Sequence, residues 1–143
     1  MPSDFALKSM NAVHRALLRV SGGRFGYRVI GMPVLELVTV GRRSGVPRAV
    51  MLTSPIRDGE AHVVVASRGG DDRHPAWFLN LRDRPQVEVA FQGGPRRPMI
   101  AAVATPEERA RLWPEIIAGF PNYAGYQRRT EREIPLVLLH PVR

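Results

Sequence analysis

Residues 34–48, VLELVTVGRRSGVPR, set a seven-residue apolar run against a turn that carries three arginines, a serine and two glycines. A tight turn between strands requires only a glycine or an asparagine at its tip, so the added charge on residues 41–48 points to an anion. Gly41 and Gly45 let the backbone bend so that successive N–H groups converge, a nest suited to oxygen anions. Arg42, Arg43 and Arg48 surround that nest, and Ser44 offers a hydroxyl. The plain alternative is a solvated basic turn that resists edge pairing. The turn alone leaves the two readings balanced.

Outward from it the chain keeps reading as short strands: 34–40, 48–56, 61–67, 86–91, 98–104 and 134–139. Asp58-Gly59 supplies a tight turn that makes the second and third of these a hairpin. Two helices interrupt the strands. HPAWFLNLR (74–82) offers Pro75 as a first helical residue. TPEERARLWPEII (105–117) opens with Thr105 and Pro106 and has Glu108 three residues on, a capping box. Pro114 is expected to kink or end that helix. Hairpin-joined strands with only two internal helices exclude a parallel βαβ sheet. The pattern predicts a mainly β, α+β fold, an antiparallel barrel of about six strands with surrounding helices.

The 143 residues, 44% hydrophobic and 24% charged, are globular in composition. Residues 31–143 form the predicted barrel domain. Residues 1–30 hold an amphipathic segment, with Leu7, Met10, Val13, Leu17 and Leu18 opposed to Lys8, Asn11, Arg15 and Arg19. It is expected to be a helix packed on the domain, with a membrane-surface helix as the second reading. It lacks the unbroken apolar core of a signal peptide. The expected compartment is therefore the cytoplasm, or the inner face of the membrane if the segment binds lipid. With no cysteine, disulfides and thiolate chemistry are excluded, and four scattered histidines show no metal-ligand spacing. Metal is not expected.

The net charge is +8, and all but one of the 21 basic residues are arginine. Arginine forks suit carboxylate and phosphate. An anionic small molecule is the favoured partner, and nucleic acid is not expected, for no binding motif appears.

A second cluster, VASRGG (65–70), repeats the recipe with Ser67, Arg68, Gly69 and Gly70. Trp77 and Asn80 follow one helical turn apart. A buried aromatic and a helix-surface amide are the plain alternatives for these two. Two glycine–arginine turns are expected at the same end of the barrel, an arrangement for a flat ring with a long anionic tail. A third element, FPNYAGYQRRTEREIP (120–135), puts Tyr123 and Tyr126 three residues apart, on one face if the segment is helical. Gly125 and Pro121 favour a bend there, so the tyrosines are expected as a mobile wall; packing against the barrel is the alternative.

Taken in order, GRRSGVPR, VASRGGDDRHPAWFLNL and PNYAGYQRRTEREIPLVLLHP resemble the deazaflavin (F420)-dependent nitroreductases of actinobacteria, over residues 31–142. The resemblance implies a split β-barrel and coenzyme F420, a deazaflavin with a phospholactate and oligoglutamate tail. Arg42, Arg43, Ser44, Gly45 and Arg48 match the family's phosphate and tail contacts, and Val50 and Met51 the chain beside the deazaflavin. Val65, Ala66, Ser67, Arg68, Gly69 and Gly70 match the segment by the ring and phosphate, and Trp77 and Asn80 the next helix of the pocket. Ser67, Trp77, Tyr123 and Tyr126 match residues on the substrate side. Where some members carry tyrosine this chain has Thr53 and Phe120, which bears on nitroimidazole reduction; Arg43 and Arg68 stand where lysine is common.

The implied reaction is hydride transfer from reduced F420 to a small planar acceptor, quinone-like or nitroaromatic, with Ser67 and Tyr126 as hydrogen-bonding groups at the reacting centre. Related barrels often form homodimers. An FMN or FAD oxidoreductase on the same barrel, a non-catalytic carrier of cofactor or lipid, and a basic membrane- or nucleic-acid-binding module are the alternatives.

Overall fold

The computed structural model describes residues 28–29, 32–91 and 93–142. The amphipathic segment read in residues 1–30 lies outside the described residues, apart from a two-residue strand. The strands are β1 (Arg28–Val29), β2 (Met32–Val40), β3 (Pro47–Thr53), β4 (Ile56–Asp58), β5 (Ala61–Val65), β6 (Gln86–Phe91), β7 (Arg97–Val103) and β8 (Leu136–Pro141). The helices are α1 (Ala76–Asp83), α2 (Pro106–Gly119) and α3 (Asn122–Arg128), with a single 3₁₀ turn at Arg68–Gly70.

All ladders are antiparallel, and seven strands curl in the order β3-β2-β6-β7-β8-β5-β4, with β1 added beside the start of β2. No ladder joins β3 to β4 among the described residues, so the barrel is split. The GRRSGV turn joins β2 to β3 over seven paired positions, from Val34↔Thr53 to Val40↔Pro47.

The predicted strand 48–56 is two strands. Pro55 has no N–H to give a ladder, and the chain breaks at Ser54-Pro55. The buried Ser54 hydroxyl donates to the carbonyls of Val63 (2.8 Å) and Ile56 (3.1 Å), tying down the corner. The Asp58-Gly59 hairpin is therefore only three pairs long, β4 with β5, while β3 pairs with β2.

Side-chain alternation along the strands divides the core between two faces. Leu35 and Leu37, Val87 and Val89, Met99 and Ala101, Val137 and Leu139, and Val64 share one face, which α1 covers with Trp77, Phe78 and Leu81. Val63, Val65, Leu136 and Leu138 face the other way, under Leu112 and Ile116 of α2 and Tyr123 of α3. The Thr105 capping box forms as read: its hydroxyl accepts from the Glu108 N–H (3.2 Å), and the Glu108 carboxylate accepts from the Thr105 N–H (2.9 Å). Helix α2 runs through Pro114 to Gly119, so the proline does not end it. Pro75 caps α1 one position earlier than its predicted place.

Four successive antiparallel pairings, β2-β6-β7-β8-β5, make β2 and β5 run in the same direction. The turn after β2 and the segment after β5 therefore leave from the same end of the sheet. The chain between β7 and β8, which contains α2 and α3, starts and finishes at that end too.

Candidate functional site

The first basic turn is closed by its own backbone. Gly41 N–H donates to the Val46 carbonyl (2.9 Å) and Gly45 N–H to the Gly41 carbonyl (2.8 Å), with Gly45 at φ 70°. Ser44 Oγ accepts from Val46 N–H (3.1 Å). Residues 42–48 are exposed, and Arg42, Arg43 and Arg48 have no carboxylate partner among the described residues. That makes three permanent charges available to an anion. The Gly45 N–H is used within the turn, so the arginines, more than a backbone nest, are what this turn offers.

Asn80 on α1 fixes the turn's orientation. Its carbonyl oxygen accepts from the Arg42 backbone N–H (3.2 Å) and guanidinium (3.1 Å), and its NH2 donates to Thr39 Oγ1 (3.1 Å). Asn80 and Thr39 are both buried. The plain alternative of a helix-surface amide is set aside: Asn80 is inside, and its carbonyl oxygen is spent on Arg42 of the turn.

The second basic turn carries stored backbone strain. Arg68 (φ 47°), Gly69 (φ 65°) and Gly70 (φ 86°) are three consecutive left-handed residues, and Arg68 is the one non-glycine with positive φ among the described residues. Ser67, in the right-handed region at φ −79°, precedes them, and this right-then-left sequence is the geometry of an anion-binding nest. The Arg68 guanidinium lies 2.6 Å from the Asp71 carboxylate, both well shielded from solvent. The Arg73 N–H, and after it the Arg68 and Arg73 guanidiniums, hold the Asp71 carboxyl below its ordinary range against the opposing effect of burial. Arg68 is thus an internal ion-pair member rather than a surface cation.

Gly70 packs on α3. A β-carbon there would lie 2.8 Å from the Tyr126 carbonyl and 3.0 Å from Arg129 Cβ. The rings of Tyr123 and Tyr126 meet edge-on at 5.8 Å, so the predicted shared helix face exists. The two differ in burial. Tyr123 is in the core, donating to Met32 Sδ (3.4 Å) and lying 3.3 Å from Thr53 Oγ1, and burial raises its phenol above the ordinary range. Tyr126 is half-buried. The expectation of a mobile wall is corrected for Tyr123, which is a packed core residue.

Trp77 is buried in the cluster that α1 covers, whereas the tyrosines belong to the opposite face. Of the four residues expected on the substrate side, the three aromatic ones do not form one wall. Val50 and Met51 are likewise split by alternation: Val50 packs with the α1 cluster, and Met51 points to the other face. Val65 and Ala66 divide the same way.

The sequence reading missed Arg132. Its guanidinium donates to the carbonyls of Asp71 (2.9 Å), Ala66 (3.2 Å) and Ser67 (3.0 Å) and contacts His74 Nδ1 (3.2 Å). Its place in the charge run QRRTERE gave no signal, because the acceptors lie some 60 residues earlier in the chain.

Comparison with known proteins completes the site. The model of the F420H(2)-dependent quinone reductase family matches residues 10–141. An F420H(2)-dependent quinone reductase of Mycobacterium tuberculosis (strain H37Rv) is 41% identical over 132 residues, 89% of this chain and 87% of that protein. Among solved structures, an F420-H2 dependent reductase is 34% identical with a TM-score of 0.64, over 76% of this chain and 94% of its own. A domain-swapped dimer is 31% identical with a TM-score of 0.66, over 92% of this chain and 99% of its own.

Proposed function

The chain belongs to the F420H(2)-dependent quinone reductase family, and on that premise we propose how its residues serve hydride transfer from reduced F420 to a quinone-like acceptor. The observation that carries the reading is that both basic turns leave from the same end of the split barrel, with Asn80 of α1 bonded to the first.

The donor set fits the cofactor. Arg42, Arg43 and Arg48 are exposed and without carboxylate partners among the described residues, as a polyanionic tail requires. The nest at Ser67–Gly69 suits a phosphate or a ring oxygen. When bound, the reduced deazaflavin supplies the hydride from a ring carbon. The chain's residues then have three tasks: to bind the tail at 42–48, to orient the ring beside 65–70, and to keep water from the acceptor. Asn80 is a positioning residue rather than a direct ligand. Ser67 and Tyr126 are assigned as hydrogen-bond donors to the acceptor, Tyr126 because it is the half-exposed member of the tyrosine pair. Trp77 is retained as a wall beneath the first turn, and Tyr123 as the packing that sets Tyr126.

Nitroaromatic acceptors are a secondary proposal. No helix among the described residues is long and apolar enough to cross a membrane; a cytoplasmic location is proposed, and any peripheral attachment would rest on residues 1–30. Homodimer formation is a further proposal, supported by the domain-swapped relative and tested by native mass spectrometry. Function is tested by titrating the purified protein with F420 and FMN and by following F420H2 oxidation with menadione.

A further inference from the structure

We propose that Arg132 is the positioning residue that presents the strained 67–70 turn to its ligand. The inference rests on the proposed role of that turn. Of the three consecutive left-handed residues, Gly69 and Gly70 adopt that region freely, whereas Arg68 is costly there unless its surroundings over-determine it. Arg132 supplies that determination. One planar fork bonds the carbonyls on both sides of the turn, Ala66 and Ser67 before it and Asp71 after it. Carbonyls drawn toward Arg132 leave the N–H groups of the nest to point the opposite way, toward an anion.

The fork is itself held in place. Gln127 Nε2 donates to the Arg132 carbonyl (2.7 Å), while Gln127 Oε1 accepts from Ile134 N–H (2.9 Å) and from Arg109 (3.1 Å). The guanidinium also meets His74 Nδ1 (3.2 Å). An arginine can only donate, so His74 accepts there and carries its proton on Nε2. Lysine keeps the charge but has no planar fork and cannot reach four acceptors spread over 66–74.

The test compares Arg132→Lys and Arg132→Gln with Ile116→Val, a core change in α2 that touches no part of the turn. Hydrogen exchange of the 66–72 peptide is measured without cofactor, and F420 affinity by fluorescence titration. The expected result is faster exchange in 66–72 and affinity weakened roughly tenfold to a hundredfold in both Arg132 variants. Ile116→Val should show neither. Unchanged exchange in both Arg132 variants, or an equal affinity loss in Ile116→Val, overturns the proposal. Should the wild type fail to bind F420, the functional reading falls, while the exchange result still decides whether Arg132 holds the turn.

Discussion

Asn80 Oδ1 lies 3.2 Å from the backbone nitrogen of Arg42 and 3.1 Å from its guanidinium, so one buried amide fixes both the backbone and the side chain of Arg42 where the first basic turn begins. Asn80→Leu would leave the buried Thr39 hydroxyl and the Arg42 N–H without their partners. Each orphaned group costs about 1–3 kcal/mol. We expect a clear fall in melting temperature together with weaker F420 binding. Asn80→Asp, which keeps the acceptor toward Arg42, should recover more affinity than stability.

Alanine at Arg42, Arg43 and Arg48 together should leave the melting temperature nearly unchanged, because these side chains are exposed. Exposed ion pairs are worth about 0.2–1 kcal/mol each, so the triple variant should lose roughly threefold to a hundredfold in F420 affinity. The loss should shrink at high salt, where such contacts are already screened. Fluorescence titration at two ionic strengths checks both points; unchanged affinity would remove the turn from the site.

Two glycines separate backbone strain from crowding. Gly45 and Gly70 both have left-handed φ, but a β-carbon at Gly45 meets open space while one at Gly70 meets Tyr126 and Arg129. Gly45→Ala should cost about 1–2 kcal/mol. Gly70→Ala should cost about 3 kcal/mol or more through the added overpacking. Thermal melts in parallel would show it; equal costs would contradict the packing of 68–70 on α3.

Acid should weaken the fold before carboxylates titrate. Burial first, and then Arg132 and Arg82, lower the His74 pKa; burial and then Arg57 lower that of His62. With folded values depressed below about 6.5, the unfolded chain takes up protons sooner. The histidine contribution is therefore full above about pH 6.5 and is lost as pH falls through the folded values. Among the described residues His62 Nδ1 is buried without a hydrogen-bond partner, and its ring lies 4.5 Å from Phe91. His62→Phe should raise the melting temperature at pH 7 and flatten its decline toward pH 5.

The strands were legible because alternation survives in runs such as QVEVAF, and the end from which both turns leave follows from their antiparallel order. The break at Ser54-Pro55 was missed because Ile56, beyond the Thr53-Ser54-Pro55 turn signal, was read as a continuation of the apolar residues before it. Asn80 was expected to face the cofactor, and its role as a buried brace was not legible because its partners, Arg42 and Thr39, are about 40 residues away. Arg132 was hidden in a charged stretch for the same reason. Trp77 was placed with the tyrosines by resemblance alone, and a linear sequence carries no information about which face of a sheet a helix covers.

The central claim is that this split barrel takes a deazaflavin at the end from which its two basic turns leave. Side-by-side fluorescence titration of the purified protein with F420 and FMN tests it most directly. The account predicts saturable binding of F420, weakened by the triple arginine variant, and no comparable binding of FMN. Saturable FMN binding with no affinity for F420 would contradict it.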